Sequence, residues 1–561
     1  MLMTSDTFAR DRLPAPQDLP EFLFELPELQ FPPRLNAAVA LLDERVARGE
    51  GARRCVVGAD GSTWTYTELK DHTDRIARVL VEDLGLVPGN RVLLRGGNSP
   101  MLAACFLAVI KAGGIAVGTM PLLRAKELTT IVDKAQISHA LCDARLAGEL
   151  DQARAQCPTL RTVVHFNGGA GSALEQAAAA KPAGFEPHDS AADDICLMAF
   201  TSGTTGQPKA AMHFHRDLLA ACACWPPHVL RATPDDVFIG SPPLAFTFGL
   251  GGLLLFPLSI GACTVLLEKA SPDVLPAAIA QHRATVLFTA PTSYRAMAGA
   301  AGQQDLSGDR RAAPSSPDPL GGRTGGRPDL GALSSLRKCV SAGEALPAAT
   351  RALWREATGI EIIDGIGSTE MFHIFISADE AGAKPGATGV PVPGYRACIV
   401  DDDFNELPRG SVGRLAVKGP TGCKYLDDPR QAQYVQRGWN LTGDAYLVDA
   451  DGQYVYQART DDMIITGGYN IAGPEVESAL LLHPAVAECG VIGVADADRG
   501  QIVKAFVVLR PGHAGDEAMA RALQDFVKQT IAPYKYPRAI EFRDSLPRTE
   551  TGKLQRFRLR S

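Results

Sequence analysis

At 561 residues the chain is too long for one core of ordinary size, so at least two domains are expected. Hydrophobic residues at 46% and charged residues at 21% are the proportions of a globular protein and exclude a disordered one. With 56 Lys and Arg against 63 Asp and Glu the net charge is -7, which gives no electrostatic reason to expect nucleic acid or an anionic membrane as partner.

In chain order, residues 1–20 carry Asp6, Arg10, Asp11 and Arg12 without a long apolar run, so no signal peptide is expected. Thr65 and Glu68 have capping-box spacing, and Leu69, Ile76 and Leu80 follow at helical intervals. Residues 91–94 read as a short strand. Asn98 and Ser99 can cap a helix that begins with Pro100 and stops at Gly113 and Gly114, and 115–117 is the next strand. Similar apolar runs at 140–142, 195–200, 285–288 and 339–340 imply α/β layers with a largely parallel sheet. Residues 244–267 lack charge and would be long enough to span a bilayer. Gly249, Gly251, Gly252, Pro257 and Gly261 interrupt them, however, and the flanks show no basic bias, so a buried helix turning into a strand at 264–267 is expected.

Residues 299–331 are rich in Gly, Pro, Ser, Asp and Arg and read as a flexible, dispensable surface insertion. A β-rich stretch follows (413–417, 452–456), and the pattern breaks again near 459–462. Beyond it lie expected strands at 488–494 and 505–509 and a helix at 516–530, the size of a small domain. The expected organisation is therefore a large α/β N-terminal domain of layered subdomains plus a β-rich part, 1–460, and a small α+β C-terminal domain, 461–561. The 12 cysteines include no CxxC pair, and free buried thiols in a reducing cytosol are expected. Two kinase-like fragments are set aside: Ala108, Val109, Ile110 and Lys111 lie in a helical pattern, and His215, Arg216, Asp217 and Leu218 lack the Asn that a catalytic loop needs. His213 and His215 have no third ligand nearby in sequence, so a metal site is not expected there.

Directly after the apolar run 195–200 comes Thr201-Ser202-Gly203-Thr204-Thr205-Gly206-Gln207-Pro208-Lys209. Two glycines free the backbone to curl, four hydroxyls offer short donors and a lysine supplies charge, which together suit a polyphosphate. The lysine is too far from the second glycine for a Walker A loop.

This nonapeptide resembles the phosphate loop of the adenylate-forming superfamily, which includes acyl- and aryl-CoA ligases, peptide-synthetase adenylation domains and luciferases. Further matches follow in that superfamily's order. Ser341-Ala342-Gly343-Glu344 and Asp364-Gly365-Ile366-Gly367-Ser368-Thr369-Glu370 look like adenine-binding stretches, and Leu441-Thr442-Gly443-Asp444 looks like the ribose-binding one. The run from Arg459 to Asn470 resembles the hinge, at Asp461, and a glycine loop, Gly467 and Gly468. Pro547-Arg548-Thr549-Glu550-Thr551-Gly552-Lys553 looks like the C-terminal catalytic lysine motif.

The resemblance implies ATP, Mg²⁺ and coenzyme A as cofactors or co-substrates. It gives Glu370 to Mg²⁺, Thr369 to the α-phosphate, Asp444 and Arg459 to the ribose, and Lys553 to the acid oxygen and α-phosphate. It also implies that the small domain is mobile, rotating about Asp461 so that Gly467 and Gly468 line a pantetheine tunnel in the second half-reaction. The acid pocket is expected from Ala245, Phe246, Gly249, Ile366, Gly367, Met371 and His373, with Phe246 as a flat wall and His373 as a polar contact.

The run from Gly365 to Phe375 is similar to benzoate-type CoA ligases. Residues 245–252 and 120–128 are similar to 2-aminobenzoate-CoA ligases, so the expected substrate is 2-aminobenzoate or benzoate, activated in the cytoplasm. Rival functions are an aryl adenylation enzyme that loads a carrier protein and a non-catalytic nucleotide-binding protein on the same fold.

Overall fold

Thr65 opens the first long helix, Tyr66–Arg78, as its spacing to Glu68 predicts. Its Oγ1 accepts the Glu68 N–H at 3.2 Å and the Glu68 carboxylate accepts the Thr65 N–H at 2.7 Å. The helix Pro100–Lys111 starts on the same logic, with Ser99 Oγ accepting the Leu102 N–H at 3.2 Å and Pro100 at the first position. Asn98 has a different task from the expected cap: its Oδ1 accepts the Leu244 N–H at 2.8 Å and its amide donates to Pro242 O at 3.0 Å. It pins a distant loop instead.

The computed structural model describes residues 5–169, 172–201, 208–302, 330–460, 462–466, 469–496, 500–548 and 554–560. Among these, the chain forms four sheets, of nine, six, five and five strands. In the six-stranded sheet Thr162–Phe166, His139–Asp143, Arg91–Arg95, Ile115–Thr119 and Ile195–Thr201 run parallel, and Lys209–Phe214 closes the edge antiparallel. The middle of the nine-stranded sheet is parallel too, from Arg54–Gly58 through Cys263–Leu266, Val237–Gly240, Val286–Thr289 and Lys338–Ala342 to Ile362–Gly367.

Helices Tyr66–Arg78, Pro100–Lys111 and His215–Trp225 share one core cluster with residues of both sheets, Val92 and Leu141 on one side and Val56, Phe238 and Val340 on the other. Pro100–Lys111 is buried at nearly every position, which explains its near-continuous apolar sequence. Lys111, inside the kinase-like fragment, is fully buried and paired with Asp43 at 2.6 Å and with Asp74. Residues 244–267 form short buried helical turns and then the strand Cys263–Leu266. Among the described residues no helix is long and apolar enough to cross a membrane. The 12 cysteines are free, and most are buried.

The third sheet contains Arg396–Val400, Gly413–Lys418, Val435–Gln436, Trp439–Val448 and Tyr454–Arg459, and all its neighbours are antiparallel. The fourth sheet, from Ile464–Thr466 onward, has its own core of Ile464, Val476, Leu480, Val491, Val507, Leu523 and Val527 and forms a separate C-terminal domain. Its long strands, Val486–Asp496 and Gly500–Leu509, outrun the expected 488–494 and 505–509, while Asp516 caps the helix Glu517–Thr530 through its carboxylate. The insertion is narrower than its composition implies. Residues 299–302 complete the helix Pro291–Gly302, and a 3-10 turn, Leu330–Leu333, follows on the far side; 303–329 lie outside the described residues. The helix can extend because Ala298, Ala300 and Ala301 favour it despite Gly299 and Gly302, whereas the insertion's prolines all come after them.

Candidate active site

Strand Ile195–Thr201 and strand Lys209–Phe214 are antiparallel, with Thr201 opposite Lys209. The expected phosphate loop thus spans the end of a β-hairpin. Its residues Ser202, Gly203, Thr204, Thr205 and Gly206 lie outside the described residues, as do Asp461, Gly467, Gly468 and Lys553. At the exit of the hairpin, Lys209 donates to the Tyr425 hydroxyl at 2.9 Å and stands 3.6 Å from Glu370 Oε1. The Tyr425 hydroxyl itself donates to the same Glu370 oxygen. Tyr425 is placed by backbone pairing along the lysine's own strand: Met212 N–H donates to Lys424 O at 2.7 Å and Leu426 N–H to Ala210 O at 2.9 Å.

Glu370 sits in the link 368–373 between strand Ile362–Gly367 and its antiparallel neighbour Ile374–Ser377. The Phe372 N–H donates to Thr369 O, the Met371 N–H donates to Ser368 Oγ, and Phe372 takes a φ of 72°, unusual for a side chain of that size. A Cβ on Gly367 would lie 2.6 Å from His373 O, so the link closes only over a glycine. The consequence is that Glu370 meets Lys209 while His373, three positions on, enters a cluster of rings.

Two of the adenine-type stretches lie side by side. Ser341 is opposite Asp364 and Ala342 opposite Gly365 on parallel neighbours. Asp364 is buried, and burial pushes its carboxyl up to about 7 despite the opposing influence of Arg351. Gly343 is exposed and Glu344 half-buried at the end of the same strand. Asp444 is opposite Arg459 across two antiparallel strands, with Nη1 and Oδ1 3.2 Å apart, and Arg459 also donates to Thr442 O at 3.1 Å.

Burial, then the charges of Glu370 and Asp444, push the Tyr434 hydroxyl well up, and burial with Asp444 and Asp364 does so for Tyr446. From the small domain, Arg548 comes within 3.7 Å of Glu344 and pairs with Glu488 at 2.9 Å. Arg548 and Leu554, on either side of the lysine motif's end, are bridged to each other.

Two of the residues expected in the acid pocket are placed as follows. Met371 is fully buried in the core, its carbonyl accepting from Thr421 Oγ1 at 2.7 Å. The ring beside His373 belongs to Phe248, at 5.6 Å between centroids; Phe246 stands at the N-cap of the helical turn Thr247–Leu250. The turn here is tight: a Cβ on Gly249 would lie 2.1 Å from Pro243 O, and Leu244 is pinned by Asn98.

Phe256 meets His373 edge-on at 4.4 Å, and Trp225 lies at 5.9 Å. Gly251 leaves room for the imidazole, since a Cβ there would be 2.5 Å from its Cδ2. Burial lowers the His373 pKa to about 3, so the ring is neutral. Nε2 lies 3.4 Å from Phe248 O, which can only accept; Nε2 therefore carries the proton, and Nδ1 is a buried acceptor without a partner among the described residues. Ala245 and Ile366 are half-buried near this end. His213 and His215 are buried elsewhere, His213 edge-on to Phe372 at 5.4 Å and His215 accepting the Ala37 N–H at 3.0 Å.

A family profile described as "AMP-binding enzyme" matches residues 42–425, and one described as "AMP-binding enzyme C-terminal domain" matches 475–553. The chain belongs to the AMP-binding enzyme family. Within this adenylate-forming family it is benzoate–CoA ligase-like. It is 35% identical to the benzoate–CoA ligase of Thauera aromatica over 95% of this chain and 97% of that protein. An anthranilate CoA ligase solved in complex with anthranoyl-AMP superposes with a TM-score of 0.86 at 35% identity, covering 95% of this chain and 98% of that one. A benzoate CoA ligase from Burkholderia xenovorans LB400 superposes with a TM-score of 0.82 at 31% identity, covering 94% and 100%. As a member of this group the chain is an AMP-forming CoA ligase.

Sequence reasoning missed the contacts of Tyr425 and Asn98, and it gave the flat wall to Phe246 although Phe248 lies in the same expected loop. Tyr425 lies 216 residues from Lys209, and no spacing rule links the two. The capping signal at Asn98 and Ser99 was visible, but not the contact that Asn98 makes instead.

Proposed function

We propose that the protein activates an aromatic carboxylic acid, 2-aminobenzoate or benzoate, as its adenylate at the expense of ATP and transfers the acyl group to coenzyme A. The observation that carries this reading is the link 368–373, which sends Glu370 to Lys209 at the phosphate hairpin and His373 into a ring-lined cluster three residues later. An acid held by the cluster would present its carboxylate toward the phosphates. A carboxylate is a poor electrophile, and its attack on the α-phosphorus of ATP replaces an impossible oxide leaving group with AMP while pyrophosphate departs. The coenzyme A thiol then attacks the acyl carbonyl and AMP leaves.

In this reading Lys209, Thr201, Thr369 and the loop 202–206 hold the phosphates, and Asp364, Ile366 and the stretch 341–344 frame adenine. Asp444 and Arg459 take the ribose, and Lys553 contacts the acid oxygen and the α-phosphate. The boundary at 460/461 then serves as the hinge. The Arg548–Glu344 contact supports a small domain poised for adenylation.

Mg²⁺ fits as a cation that arrives with the nucleotide. Among the described residues no group of three His, Cys, Asp or Glu forms a dedicated cage, whereas Glu370 offers one carboxylate, which together with phosphate oxygens and water suffices for this ion. Bound there, the ion would neutralise phosphate charge.

The neutral His373 with an acceptor at Nδ1 favours an acid whose ring carries an N–H or O–H donor, and this supports 2-aminobenzoate over benzoate. The free buried thiols support a reducing cytoplasm as the setting. The test is acid-dependent pyrophosphate release over substituted benzoates, with coenzyme A or a carrier protein as acceptor. Benzoate, 2-aminobenzoate and 2-hydroxybenzoate should all exceed hexanoate in kcat/KM; hexanoate as the best substrate would overturn the aromatic assignment, and turnover with carrier protein alone would overturn coenzyme A.

A further inference from the structure

The phenol of Tyr425 is more than packing. Its ring would serve the core by itself, meeting Tyr434 edge-on at 5.9 Å between centroids. The hydroxyl adds a relay: it accepts from Lys209 Nζ at 2.9 Å and donates its own proton to Glu370 Oε1.

The contacts to Glu370 from both Lys209 and Tyr425 fall on Oε1. Neither contact occupies Oε2. Without the hydroxyl between them, Lys209, already 3.6 Å from Oε1, would close to hydrogen-bond distance of the carboxylate. That approach would draw both side chains away from the nucleotide.

We propose that Tyr425 is a positioning residue for adenylation, its hydroxyl separating Lys209 from Glu370 so that the lysine remains available to phosphate oxygens and the second carboxylate oxygen to a divalent cation delivered with ATP. The proposal rests on the reading that Glu370 holds that cation. Tyr425 reaches the cation only through Glu370, so the readout that isolates its role is metal binding without turnover.

The experiment titrates Mn²⁺, in place of Mg²⁺, into the full-length protein with α,β-methylene-ATP, which cannot release pyrophosphate, and follows free Mn²⁺ by electron paramagnetic resonance. Tyr425→Phe keeps the ring and removes only the relay. It should weaken Mn²⁺ binding by about tenfold, the usual loss when a group that orients a metal ligand is removed. Binding of the same nucleotide in excess EDTA should weaken as well, because Lys209 is drawn off the phosphates, while the melting temperature should stay at the wild-type value.

Tyr434→Phe removes a neighbouring buried hydroxyl that contacts Ser368 Oγ at 3.1 Å instead of Glu370. It should leave Mn²⁺ affinity within a factor of about two. Wild-type affinity in folded Tyr425→Phe would overturn the proposal, and so would equal losses in the two phenylalanine variants. Should Tyr425→Phe not fold, Tyr425→Trp, which keeps a buried aromatic without the phenol, replaces it with the same expectations. Glu370→Gln separates the layers: if it binds Mn²⁺ like wild type, the reading of Glu370 as cation ligand fails and the proposal falls with it. If Glu370→Gln loses Mn²⁺ and Tyr425→Phe does not, only the proposal fails.

Discussion

Asp364 is an acid that stays largely protonated until pH nears 7, because burial penalises its charge more than Arg351 relieves it. Its folded pKa of about 7 lies above the ordinary 3.8, so between those values the folded state binds more protons than the unfolded one. Stability contributed by this group is therefore complete below pH 3.8 and is lost as pH rises through 7. Asp364→Asn removes that loss. The melting temperature of the variant relative to wild type should climb by several degrees between about pH 4 and 8 and then level off, as read by calorimetry at matched ionic strength. A flat difference would mean that the carboxyl is not the titrating group. His373 makes the opposite prediction. With a pKa near 3 it should contribute no ionisation to kcat/KM across the working range, and in the proposed function it acts as a single acceptor. His373→Leu should lower kcat/KM for 2-aminobenzoate about 3–10-fold more than for benzoate, the value of one hydrogen bond, in parallel steady-state assays.

At the scale of elements, the helices with local signals were legible in the chain itself. Thr65 with Glu68, and Ser99 with Pro100, act within a few residues, and the structure places both helix starts where those signals stand. The parallel strands were legible because burial on both faces makes each a continuous apolar run. Contacts between distant segments were not. Asn98 carries a cap signal, but its side chain is taken by Pro242 and Leu244, over 140 residues away. Phe246 and Phe248 are the same residue type two positions apart, and no local signal tells which ring stands beside His373. The segment 303–329 offers no apolar stripe to any element. Replacing it with a few glycines should leave the melting temperature and turnover within experimental error, because lengthening or shortening such a loop changes closure entropy by only about 0.6 kcal/mol per doubling. A cooperative loss of structure in the deletion would show that the segment packs.

For the whole molecule, the central expectation is that the two half-reactions separate by mutation. Lys553→Ala should slow pyrophosphate release from ATP and acid by at least about a hundred- to thousand-fold while still converting supplied acyl-adenylate to the thioester. Asp461→Pro should do the reverse, because fixing φ at the hinge residue hinders the rotation that the second step needs. Single-turnover measurement of each step in both variants is the check, and loss of both steps to the same extent in both variants would point to a folding defect. The motifs that prompted this expectation were legible because each is a short contiguous string. The relay through Tyr425 was not, since it exists only once the edge strand of the six-stranded sheet meets the segment 424–426. The link 368–373 has one more implication, for how such an enzyme can change its diet. In the proposed function the same few residues aim the phosphate-side carboxylate and the acid-side imidazole, with a φ of 72° at Phe372 between them and no room for a side chain at Gly367. Substitutions in this link cannot reshape the acid site without also disturbing Glu370. Altered acid preference should therefore accumulate on the opposite wall, at Trp225, Phe248 and Phe256, where replacements carry no such double cost, and a selection for a bulkier acid should return variants there and spare 367–373.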